Sequence, residues 1–85
     1  MERTVIKDKI KQIIFETTNI KVEDIENTAH FKQDMNLDSL TLLEIAVNIE
    51  QEFGLDVPEE EMEKFTDVET SANLVLEYLA VVGQT

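Results

Sequence analysis

The chain has no cysteine and no tryptophan in 85 residues, only one proline, two glycines and a single histidine. Without cysteine there can be neither disulfides nor thiolate metal sites. A domain this short and without such staples must rely on well-packed, periodic helices. Gly54 and Gly83 are too few and too far apart to form a phosphate-cradling loop. His30 falls in a loop region, where a lone histidine is a surface or packing residue more often than a general base. Serine is as scarce. Ser39 and Ser71 are the only two, and neither lies in the glycine-flanked turn of a hydrolase nucleophile. Catalysis by this chain alone is therefore hard to build.

Positive charge is also missing from most of the chain. Residues 1–33 hold six acids and six bases, whereas residues 34–85 hold thirteen acids against Lys64 alone, giving a net charge of −12. Such a field repels nucleic acid and anionic lipid and speeds encounter with basic protein surfaces. Acids can also simply keep a small helical domain soluble. Their segregation to one side of the sequence favours partner steering. No basic segment followed by an apolar stretch opens the chain, and no run is long enough to span a bilayer. The expectation is a cytoplasmic, monomeric, single domain over residues 1–85.

Val5, Ile6, Ile10, Ile13 and Ile14 recur at helical spacing and predict a first helix over about 3–16, ended by Thr17-Thr18-Asn19. A long connection follows, with Val22, Ile25 and Phe31 as anchors into the core. A second helix runs from about Ser39 to Phe53 and stops at Gly54. Val57-Pro58 is an extended step ahead of a short third helix over Glu59 to Lys64. Thr66 and Glu69 form a capping-box pattern for a last helix that buries Val75, Tyr78, Leu79 and Val82. Nothing reads as a strand, and no repeat or low-complexity tract interrupts the pattern.

The second helix carries the functional reading. Leu42, Ile45, Ala46, Ile49 and Phe53 share one side, the core stripe. Leu40, Leu43 and Val47 fall on another, rotated by roughly 140°. Glu44 and Gln51 flank that second stripe on one side and Glu50 on the other. Either the helix is buried on two faces, as a central helix can be, or the second stripe is an exposed apolar strip with an acidic border, which is the anatomy of a docking surface. At its head stands Asp38-Ser39-Leu40. Ser39 could be a plain N-cap, and so could Ser71. Ser39 could equally carry a phosphate-linked group, because unpaired N–H groups and the helix dipole favour an anion there by roughly 0.3–1 kcal/mol. Asp34, Asn36 and Asp38 match three positions of a calcium-binding loop. Ser39 replaces its obligatory glycine and Ile45 its bidentate glutamate, which argues against a specific metal site.

The run Phe31-Lys32-Gln33-Asp34-Met35-Asn36-Leu37-Asp38-Ser39-Leu40 resembles the signature of the acyl carrier proteins. So do Leu43-Glu44-Ile45, Ile49-Glu50, Glu52-Phe53-Gly54, Val57-Pro58-Glu59-Glu60 and Glu63-Lys64, with the spacing kept from about Val5 to Leu79. The resemblance implies an all-α fold, an antiparallel four-helix bundle of three main helices and one short third helix. It implies a 4′-phosphopantetheine arm taken from coenzyme A and esterified to Ser39. A separate phosphopantetheinyl transferase would supply base and magnesium. The arm's thiol would carry acyl groups as thioesters between acyl-loading and synthase or ketosynthase-type enzymes with basic docking patches. Asp38, Leu40, Leu43, Glu44, Val47 and Glu50 then fall on the family's partner-facing helix, in agreement with the second stripe. The carrier itself would not be an enzyme.

In such proteins the acyl chain can retreat between the helices, where each sheltered methylene gains about 0.8 kcal/mol. Partner contacts should be weak and fast, which an acidic rim suits. Asn36 stands where glycine is common, and asparagine tolerates a left-handed backbone. Thr41 replaces an aspartate usual in housekeeping fatty-acid carriers, and Ala46 and Asn48 also depart from that subgroup. These changes point to a discrete carrier in a polyketide or other specialised pathway rather than primary fatty-acid synthesis. The rivals are an aminoacyl or peptidyl carrier, an unmodified acidic helical adaptor and, last, a calcium-binding regulator.

Overall fold

A computed structural model describes the backbone of residues 2–83 and the side chains of residues 2–81. Its long helices are α1 (Arg3–Thr18), α2 (Ser39–Phe53) and α3 (Val68–Gly83). Two short 3₁₀ segments, Val22–Asp24 and Glu59–Lys64, interrupt the connections, and no strand occurs among the described residues. Lys9 of α1 pairs with Glu52 near the end of α2, while Thr17 accepts from Asn48 one turn earlier in α2. Rising position on α1 thus meets falling position on α2. Arg3 meeting Asn73 and Lys7 meeting Glu69 give the same order for α3. Both helices run antiparallel to α1, which sits between them.

Helix α1 follows from its isoleucines. Ile6, Ile10, Ile13 and Ile14 share one face and are buried. Each such side chain taken wholly from water contributes about 1.5–3 kcal/mol. Val5 lies about 100° round the wheel from Ile6 and is exposed, so it does not join the expected core stripe. The helix runs two residues past the expected end. The Thr17 and Thr18 hydroxyls bond the carbonyls of Ile13 and Ile14 at 2.9 and 2.7 Å, which accommodates the two β-branched residues in the last turn. Asn19 then turns left-handed (φ 67°), and its N–H bonds the Phe15 carbonyl at 2.7 Å.

Helix α2 has the expected bounds. Gly54 takes φ 65° after the last turn, a conformation glycine adopts without penalty. Its N–H reaches the Gln51 carbonyl while Leu55 N–H reaches Glu50 at 2.9 Å, a Schellman closure. Ile45, Ala46 and Ile49 are buried, and Leu42 and Phe53 are half-buried against the same cluster. Ile25 and Phe31 anchor the long connection as expected, with Val22 only half-buried. Phe31 is fully buried, and its N–H bonds the Thr66 carbonyl at 2.8 Å.

The short third helix is 3₁₀ rather than α, closed by Phe65 N–H on the Met62 carbonyl. Its six residues after Pro58 are a long run for i→i+3 bonding, which more often spans three or four. The N-terminus of α3 also differs from expectation. Asp67 caps it by accepting Thr70 N–H at 2.6 Å, so the Thr66–Glu69 capping box does not form. Glu69 instead pairs with Arg3 and Lys7, and its N–H bonds the Asn27 carbonyl. Ser71 is no N-cap either. It lies inside α3, fully buried, with its N–H on the Asp67 carbonyl. Val75 is buried and Tyr78 and Leu79 are half-buried; the Val82 side chain lies outside the described residues.

Candidate functional site

Ser39 is the first residue of α2 and is exposed. The cap is Asp38, whose carboxylate accepts Thr41 N–H at 2.8 Å while its carbonyl accepts Leu42 N–H at 3.0 Å. That division of labour leaves the Ser39 hydroxyl out of the capping geometry. It also means that Asp38 already occupies N-terminal donors that an anion on Ser39 would otherwise use. The Thr41 N–H holds the Asp38 carboxyl below its ordinary value of 3.8, so it is ionised beside the serine at neutral pH.

The two-stripe question of α2 is decided by burial. Leu40 is 68% exposed and Leu43 43% exposed, so the second stripe faces outward instead of packing against another helix. Val47 is half-buried between them and the helix's far end, and Glu44 is exposed. Glu50 is placed differently from the other acids. It is half-buried, and its carboxylate accepts Val57 N–H at 2.7 Å. Leu40, Leu43 and Glu44 therefore lie on one open face with Val47 half-buried among them, Asp38 is exposed at the head of the helix, and Glu50 is turned toward the segment that leaves α2.

A cleft of about 530 Å³ opens beside Ser39, between α2, the Glu59–Lys64 helix and the loop before α2. Its apolar lining comes from Phe31, Leu42, Leu43, Met62 and Phe65. Glu59 and Glu63 stand on one wall, His30 and Lys32 on another. Spacing in the sequence gave no sign of this gathering, because it joins residues 30–32 to residues 59–66 across the core. His30 is also held locally. It opens a single turn in which its Nδ1 accepts Lys32 and Gln33 N–H, each at 3.2 Å, and Asp34 accepts His30 N–H at 2.8 Å. The reciprocal bonding is like that of a capping box, except that the returning carboxylate stands four residues on instead of three. Asn36, at φ 60°, carries the chain out of this turn and into α2.

The same bonds bear on the calcium-loop pattern. The carboxylates of Asp34 and Asp38 are both turned onto backbone N–H groups, and among the described residues no three histidine or acidic side chains gather as metal ligands. An exposed hydroxyl at a helix start, beside a largely apolar cleft, is chemically suited to a tether with a flexible arm. No helix among the described residues is long and apolar enough to cross a membrane.

Comparison with known proteins gives the family. The family described as phosphopantetheine attachment site matches residues 8–75. Among solved structures, the acyl carrier protein from Enterococcus faecalis, studied for its high thermal stability, superposes with a TM-score of 0.74. The two are 26% identical, over 92% of this chain and 99% of that one. The apo doublet acyl carrier protein from prodigiosin biosynthesis superposes with a TM-score of 0.79 at 23% identity, over 87% of this chain and 36% of that one. The second likeness concerns the fold alone, and this chain spans about a third of that doublet. The group the family carries is 4′-phosphopantetheine, held covalently. An all-helical bundle of this topology, with the family's profile running through the Ser39 segment, belongs to the acyl carrier proteins.

Proposed function

We propose that residues 1–85 act as one stand-alone carrier domain whose Ser39 hydroxyl is the attachment oxygen for 4′-phosphopantetheine from coenzyme A. The observation that carries this reading is the exposed Ser39, relieved of capping by Asp38 and standing at the mouth of the cleft. Once bound, the arm supplies a thiol that holds an acyl group as a thioester. The chain's own residues do the rest. Ser39 fixes the tether at one end of α2, and Phe31, Leu42, Leu43, Met62 and Phe65 offer an apolar cleft to a cargo. Each methylene they shelter gains about 0.8 kcal/mol.

The protein performs no turnover of its own in this reading. The histidine nearest the serine has its Nδ1 committed to two backbone N–H groups. A visiting phosphopantetheinyl transferase supplies base and magnesium. Asp38, Leu40, Leu43, Glu44 and Val47, with Glu50 at the edge, form the docking face for that transferase. Acyl-loading and synthase-type enzymes with basic patches use the same face. Acids at the rim speed encounter more than they prolong residence, as a carrier passed between enzymes requires. Thr41 spends its N–H on Asp38, and Asn48 spends its amide on Thr17. Neither adds a docking charge where housekeeping fatty-acid carriers have one at the Thr41 position, which supports a polyketide or other specialised pathway.

The test is intact-protein mass spectrometry after incubation with coenzyme A and a broad-specificity transferase. One phosphopantetheine mass should be gained by the native chain and none by Ser39→Ala. An unchanged mass for the native chain removes the carrier reading and leaves an unmodified acidic adaptor.

A further inference from the structure

The cleft wall formed by residues 30–32 has a property that packing does not require. His30 Nδ1 accepts two backbone N–H bonds, which only an unprotonated nitrogen can do. With Nδ1 accepting, the donor the ring has to offer is Nε2–H, and His30 lines the cleft. Among the described residues no carboxylate is ion-paired with His30 or Lys32. Asp34 is engaged with the His30 backbone N–H rather than with the ring. Glu59 and Glu63 line the same cleft from the 3₁₀ helix, and Asp38 lies next to the serine. A negative group on Ser39 would thus meet carboxylates on two sides and unpaired donors on the third.

We propose that His30, through Nε2–H, and Lys32 are positioning residues for the phosphodiester that joins the arm to Ser39, drawing it to the 30–32 wall. The inference rests on the carrier reading and adds the residues that aim the arm. Charge-assisted donors prefer an anionic oxygen over water, and the acids at Asp38, Glu59 and Glu63 disfavour the other directions. The arm then starts along the apolar lining instead of pointing into solvent. Sheltered and delivered positions of a cargo would differ by whether this contact is made.

The experiment uses the full chain before and after arm attachment, with loading verified by mass. In the loaded wild type, the phosphorus resonance should move away from its position in the same loaded chain unfolded in urea, which carries the identical phosphodiester without the turn. The His30 ring and residues 30–33 should show the largest shifts between unloaded and loaded protein. Long-range nitrogen–proton correlation should find the proton on Nε2 in both forms. His30→Asn keeps an acceptor for the Lys32 and Gln33 N–H groups but withdraws the Nε2–H, and Lys32→Gln removes the charge while shortening the stem by one atom. Each variant should load normally, keep the native amide spectrum outside the turn, and return the phosphorus resonance toward the value of the unfolded loaded chain, with the double variant returning it fully. A loaded wild type whose phosphorus signal matches that of the unfolded loaded chain, and whose His30 signals match those of the unloaded protein, overturns the inference and leaves the carrier reading standing. A chain that takes no arm at Ser39 overturns both.

Discussion

Truncating Glu50 to alanine should destabilise the fold through a contact outside the apolar core. The Glu50 carboxylate accepts Val57 N–H at 2.7 Å, and the Glu50 carbonyl accepts Leu55 N–H at 2.9 Å. One residue thus fastens both ends of the turn that leaves α2, and beyond that turn lie Pro58 and the 3₁₀ helix that walls the cleft. Hydrogen bonds to charged acceptors contribute about 1.5–3 kcal/mol. Glu50 is half-buried, so water can partly replace it and about 1–2 kcal/mol is the expected loss. A domain of this length has roughly 4–13 kcal/mol in total, so the loss is a large share. The midpoint of thermal unfolding should fall by about 5–15 °C, with the urea m-value unchanged. Glu50→Gln retains an acceptor oxygen and should lose less than half as much. Hydrogen exchange gives the local readout, since the Val57 amide should lose protection in Glu50→Ala. Stability within about 0.3 kcal/mol of wild type, with that amide still protected, would refute the clasp. Glu50 would then be an ordinary acid on the docking face.

Other expectations follow from the same contacts. Asp38→Asn keeps an N-cap but removes a carboxyl held below 3.8 by Thr41 N–H. A depressed carboxyl stabilises above its unfolded value and loses that contribution as pH falls through its folded value. The stability gap between wild type and Asp38→Asn should therefore be present at neutral pH and close below pH 3.8 in urea titrations. A gap that widens in acid contradicts the cap. Asn36, at φ 60°, should accept glycine without loss, whereas Asn36→Ala should be destabilised by about 1 kcal/mol in the same assay. Phe31→Ala empties a fully buried site and should cost about 3–5 kcal/mol, enough to lose cooperative unfolding near room temperature if the parent stability is at the low end. Neutralising Glu44 should slow association with a basic partner more than Glu50→Gln does, because only Glu44 is wholly free on the open face.

Local rules carried the sequence reading wherever a helix was closed by its own residues. Ser39 to Phe53 was legible because Gly54 marks a left-handed exit and the apolar stripe keeps helical period throughout. The same rules misplaced the start of α3, where Asp67 and Thr66 both offer a cap and only the pull of Arg3 and Lys7 on Glu69 separates them. The exposed second stripe of α2 had two readings in sequence, since periodicity marks a face without saying what covers it. Neither the His30 turn nor its approach to Ser39 was visible in the sequence, because the Asp34 carboxylate returns from four residues on and the cleft joins distant segments.

From its residues alone this protein was already an acidic, helical chain with one serine at the head of an amphipathic helix, because periodicity, caps and charge are properties of neighbours along the chain. Tertiary structure decided that Leu40 and Leu43 face solvent, that Glu50 is a clasp, and that residues 30–32 and 59–66 enclose a cleft beside Ser39. Those facts depend on how α1 orders α2 and α3 around Phe31, and contacts between residues dozens of positions apart leave no period for a sequence to display.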